Sequence, residues 1–83
     1  MATTSSLELL RTLLVDRMSI DASDIVLEAN LRDDLGMDSL DALELAAGLD
    51  EDLGIKVPED ELGDLRTVQD VILRIDRARE SGA

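Results

Sequence analysis

Three features of this 83-residue chain predict an all-α fold: a small four-helix bundle with a long loop between helices one and two and a short third helix. Leucine, isoleucine, valine and methionine recur every three or four positions over three separate stretches. Residues that cap helices stand at the head of those stretches. The polar–apolar alternation of a half-buried strand is absent. The length suits one domain with one core, taken as 1–83.

Helix one is expected over 6–18, with Ser5 or Ser6 as cap and Leu7, Leu10, Leu14 and Met18 as its inner stripe. Ser19 to Asp34 is a long connection, of a length that is often functional. Ile20, Ile25, Leu27 and Leu31 are expected to turn inward there, with Asp21 and Ser23 opening short turns. Helix two is expected over 39–53. Asp38 and Asp41 have the spacing of an N-cap and its N3 partner, and Gly36 lets the chain turn sharply into the helix. At about 100° per residue, Ala42, Leu45, Ala46, Leu49 and Leu53 share one face. Leu40, Leu43 and Ala47 fall on another, beside Glu44 and Glu51. Only one face can meet the core of so small a domain, so the second is a candidate binding surface. Against that stands the plain fact that scattered exposed leucines need no explanation. Helix three is expected over 59–64, opened by Pro58 with acids in its first turn. Helix four, over 67–79, has Thr67 and Asp70 as caps and Val68, Val71, Ile72 and Ile75 inside. Arg74, Arg77 and Arg79 suit its negative end.

The net charge of −12 is unevenly spread. Residues 1–32 carry −2, residues 33–64 carry −11 with Lys56 as the only base, and residues 65–83 carry +1. Such a field repels nucleic acid and anionic lipid and attracts basic protein surfaces. No apolar run approaches membrane-spanning length, and Met1 to Ser6 lacks the regions of a signal peptide. The chain is therefore expected to be soluble, cytoplasmic and monomeric.

Catalysis is not expected. There is no histidine to activate a serine, and paired carboxylates mean little among 20 acids. Asp50, Asp52 and Glu61 fit three positions of a calcium-loop frame, but Gly54 falls one place early, Ile55 takes the glycine's position and Pro58 interrupts the frame. No dedicated metal site is expected. Cysteine is also absent, so a thiol chemistry would need its sulfur from outside the chain.

Ser39 is the first residue of helix two, where an attached phosphate would lie near free backbone N–H groups. Taken alone, this is a surface serine in a capped helix start. The octet Asp34-Leu35-Gly36-Met37-Asp38-Ser39-Leu40-Asp41, however, resembles the phosphopantetheine attachment site of acyl carrier proteins, roughly acidic-Leu-Gly-x-Asp-Ser-Leu-acidic. The resemblance continues through Ala42-Leu43-Glu44-Leu45, Leu49 to Pro58, and Leu65-Arg66-Thr67-Val68-Gln69-Asp70, and covers about Leu7 to Ile75. It implies a non-catalytic carrier of thioesters. A phosphopantetheinyl transferase would move 4′-phosphopantetheine from coenzyme A onto Ser39. Asp38, Leu40, Asp41, Leu43, Glu44, Ala47, Asp50 and Glu51 would face partners with basic docking surfaces: an acyltransferase, a ketosynthase, or acyl- or aminoacyl-loading enzymes. Family members often have aromatics near Leu31 and at Leu53, whereas this chain has none, so the space for cargo is expected to differ. Asp38 favours the acyl over the peptidyl branch, and Ala46-Ala47-Gly48 favours polyketide over housekeeping fatty-acid synthesis. The alternatives are a carrier for an aminoacyl or D-alanyl group and, from another class, an unmodified acidic helical adaptor.

Overall fold

The computed structural model describes residues 5–81, so the chain ends read above for targeting signals lie outside the described residues except Ser5 and Ser6. Its elements are α1 (Ser6–Met18), a short 3-10 turn (Ala22–Asp24), α2 (Ser39–Leu53), α3 (Glu59–Leu62) and α4 (Val68–Ser81). Each long helix is started by a side chain. Ser5 accepts from the Glu8 N–H to open α1. In α4, Thr67 Oγ1 accepts from the Asp70 N–H at 3.2 Å while Asp70 Oδ2 accepts from the Thr67 N–H at 3.1 Å, a reciprocal box that makes Thr67 the cap rather than the first helical residue. At their far ends α1 and α2 stop in the same way. The N–H groups of Ser19 and Ile20 bond back to Val15 and Leu14, and those of Gly54 and Ile55 to Asp50 and Leu49, with Ser19 and Gly54 both left-handed. Ile55 then joins the buried core.

The core is aliphatic. Leu10 and Leu14 of α1, Leu45 and Leu49 of α2, and Val68, Val71 and Ile75 of α4 are fully buried, and α1 packs against both α2 and α4. Leu13 joins them, which widens the α1 stripe beyond the expected four residues. Ile72, Leu53 and Met18 pack only at the core's margin. A polar tie also joins α1 to α4: buried Ser6 donates its hydroxyl to Asp76 and accepts from Arg79.

The long connection is held by backbone pairing. Leu31 N–H donates to Arg66 O at 2.8 Å, Val68 N–H to Ala29 O at 3.0 Å, and Gln69 N–H to Leu27 O at 3.1 Å. These bonds include an isolated antiparallel bridge between Asn30 and Thr67. Asp21 caps the 3-10 turn, and the Ser23 N–H and hydroxyl hold its carboxyl below the usual range. Ile25 and Leu31 are buried as expected, and Ile20 partly so, but Leu27 is exposed. Its carbonyl is committed to the start of α4, a backbone requirement that periodicity does not register.

Two further differences concern the later helices. α3 stops at Leu62 instead of 64, because Asp64 and Leu65 turn the chain with bonds to Glu61 and Leu62 instead of continuing the helix. Arg74 does not serve the end of α4: it donates to Lys56 O at 3.0 Å and lies 3.3 Å from Glu61, fastening the α2–α3 link to α4. α4 itself runs on to Ser81.

Candidate functional site

The chain reaches Ser39 through a tightly bonded turn. Asn30 Oδ1 accepts from the N–H groups of Arg32 and Asp33, and Asp34 Oδ2 accepts from the Asn30 N–H at 2.7 Å. The N–H groups of Asp34 and Leu35 bond to Asn30 O and that of Gly36 to Arg32 O, forming one helix-like turn. Gly36 leaves it with φ 70°, a conformation that glycine adopts without strain. Met37 follows, buried, with its N–H on Leu31 O at 2.9 Å. Buried Leu31 and Met37 therefore anchor both sides of the turn. Sequence reasoning singled out Gly36 but missed Asn30 and Met37; an Asn four residues ahead of an Asp was the available signal.

Asp38 and Asp41 then form a full capping box. Asp38 Oδ1 accepts from the Asp41 N–H at 3.0 Å, and Asp41 Oδ2 accepts from the Asp38 N–H at 3.1 Å. Both carboxylates are thus engaged in starting α2, whatever else they meet. Ser39, between them, is exposed as the first residue of the helix. The free N–H groups of that helix start make an anion beside it favourable.

Ser39 borders an open cavity of about 760 Å³. Leu31, Met37, Ala42, Leu43, Leu45, Leu62 and Leu65 are among the residues that line it; Arg32, Asp33, Glu59 and Arg66 add charge. The volume lies in the range of sites that hold a small organic group, with mainly apolar walls and a few polar groups. Leu62 and Leu65 were not singled out from the sequence, because they belong to a segment with no long periodic pattern.

The outer surface of α2 carries the rest. Leu40 is 74% exposed and Leu43 48%, while Ala47 is only partly so. Asp50 and Glu51 are exposed. Glu44 and Glu51, read above as facing partners with basic docking surfaces, share one cation from the same molecule. Arg17 of α1 donates from Nη1 to Glu44 at 2.8 Å and from Nη2 to Glu51 at 2.7 Å, with Asp52 at 3.6 Å. Glu51 and then Glu44 raise the Arg17 pKa above its ordinary value. The stem of Arg17 crosses Gly48, where an added Cβ would stand 2.9 Å from Arg17 Cδ and 3.1 Å from Leu13 Cδ1. A glycine in mid-helix costs about 1 kcal/mol relative to alanine, and here it lets α1 lie close enough for the clasp.

Comparison with known proteins bears on the same stretch. The family described as "Phosphopantetheine attachment site" matches residues 8–75. An acyl carrier protein of Phytoplasma australiense is 41% identical over 71 residues, covering 86% of this chain and 93% of that relative. An acyl carrier protein of Thermosynechococcus vestitus is 41% identical over 66 residues, covering 80% and 82% respectively.

Proposed function

The chain belongs to the phosphopantetheine-bearing acyl carrier protein family, and on that premise we propose that Ser39 is its attachment residue and that 1–83 forms one carrier domain. An acyl carrier protein is not an enzyme: it holds acyl groups as thioesters on a covalent 4′-phosphopantetheine, which supplies the thiol this cysteine-free chain lacks.

The observation that carries the Ser39 assignment is its seat. The hydroxyl stands exposed at the first position of α2, its backbone held by the Asp38–Asp41 box and its approach by the Asn30–Asp34 turn. The residues present fit the group. Helix N–H groups lie where a phosphodiester would need donors, and apolar walls begin beside the serine. In this reading Ser39 provides the oxygen, the start of α2 steadies the anion, and Leu31, Met37, Ala42 and Leu62 give the arm or its cargo a surface out of water.

The carrier's partners are a phosphopantetheinyl transferase and the enzymes of an acyl-processing pathway. We assign docking to Asp38, Leu40, Asp41, Leu43, Glu44, Ala47, Asp50 and Glu51, with an acyltransferase or ketosynthase presenting basic residues. The net charge of −11 over residues 33–64 supports the sign of that partner surface. Exposed Leu40 and Leu43 supply the apolar area that charge alone would not. Polyketide synthesis is the pathway we favour. Ala46 and Ala47 are what remains in its support, since Gly48 is accounted for by Arg17. We place the carrier in the cytoplasm, where coenzyme A is at hand; no helix among the described residues is long and apolar enough to cross a membrane.

Incubation with coenzyme A and a promiscuous phosphopantetheinyl transferase tests the assignment by intact-protein mass. The wild-type chain is expected to gain one arm and the Ser39→Ala chain none. A gain on the Ser39→Ala chain would move the attachment to another serine.

A further inference from the structure

Arg17 occupies the acidic surface that a basic partner would need. Its guanidinium bonds Glu44 and Glu51, which stand seven residues apart on α2, and takes one oxygen of each. Its side chain is 24% exposed, whereas those of Glu44 and Glu51 are 47% and 65% exposed. The clasp is therefore open to the same solvent through which a partner arrives. Two carboxylates that would otherwise attract an incoming cation are already sharing one.

From this geometry we infer that Arg17 is a specificity-determining residue: an internal competitor that weakens the attraction of α2 for basic partners and raises the positive charge a partner must bring to dock. The inference rests on the docking surface proposed above. Arg17 neutralises one of the two carboxylate charges, so Glu44 and Glu51 present about half of their field to an incoming cation while Arg17 holds them. A weakly basic surface gains little by replacing a bond already made. A strongly basic one can share the free oxygens or displace Arg17. Glycine at position 48 is what gives Arg17 this reach, because any Cβ there would meet its stem.

The test measures association of the full chain with a purified phosphopantetheinyl transferase across a salt series, by stopped flow. Arg17→Gln is expected to raise the association rate at low salt by about threefold or more and to steepen its fall with salt, since association rates follow the interfacial field. Arg17→Met, which keeps an apolar stem over Gly48, is expected to do the same; helix content and melting checked by circular dichroism identify the variants that are folded. In a Glu44→Gln, Glu51→Gln background the gain should shrink to that of removing one positive charge, because Arg17 then has only Asp52 left to withhold. An association rate unchanged or lowered by folded Arg17 variants, while Glu44→Gln and Glu51→Gln slow docking, would overturn the competitor alone. The same holds if the gain is undiminished in the double-glutamine background. Glutamate variants without effect on association would remove the docking surface, and this inference with it.

Discussion

Asp38 serves Ser39 through the backbone. Its carboxylate is committed to the Asp41 N–H, and the Asp41 carboxylate to the Asp38 N–H, so the pair fixes where α2 begins and hence where the serine points. Loss of such a cap costs about 1 kcal/mol. Asp38→Ala is expected to lower stability by roughly that much, read as a shift of the urea midpoint at unchanged slope. Ser39→Ala removes only an exposed hydroxyl and is expected to move stability by no more than about 0.5 kcal/mol. A loss for Asp38→Ala no larger than that for Ser39→Ala would mean that the cap does not hold the helix start as assigned.

Among the elements, the ends of α1 and α2 make a controlled comparison. Both close with the same pair of backbone bonds, but the left-handed position is Gly54 in one and Ser19, at φ 57°, in the other. A residue with a Cβ pays about 1–2 kcal/mol in that conformation, partly offset by the smaller unfolded-state freedom it gives up. Ser19→Gly is therefore expected to raise stability by about 0.5–1 kcal/mol in urea titration, with α1 unchanged in length. A fall in stability would show that the Ser19 side chain has a role beyond its backbone. The same element scale explains Leu27. A loop strand bonded by its carbonyl to the head of α4 presents whatever side chain stands there, and register decides its exposure.

Across the whole molecule, charge opposes folding and the outer helices partly answer it. Most of the −12 sits between residues 33 and 64. Arg17 reaches into that region from α1 and Arg74 from α4, each meeting acids of the middle segment. Two such contacts leave most of the repulsion in place. Raising ionic strength from about 0.01 to about 0.15 M shortens the screening length from about 30 to about 8 Å, so the melting temperature is expected to rise over that interval. Circular-dichroism melts at constant pH check this, and a salt-independent melt would contradict it.

What the linear chain determined is what neighbours along it can settle. Helix starts at Ser5, Asp38 and Thr67 follow from residues three apart whose side chains meet the local backbone, and the stripes through Leu10, Leu14, Leu45, Leu49, Val71 and Ile75 follow from helical period. The octet from Asp34 to Asp41, in which we propose the attachment serine, is equally local. Tertiary structure alone decided the pairing of residues 27–31 with 66–69, the cavity wall supplied by Leu62 and Leu65, and the partner that Glu44 and Glu51 find in Arg17. Each of these joins positions far apart in sequence. The approach of α1 to α2 over Gly48 brings one arginine to two glutamates, and no periodicity along either helix specifies which charges a neighbouring helix will meet.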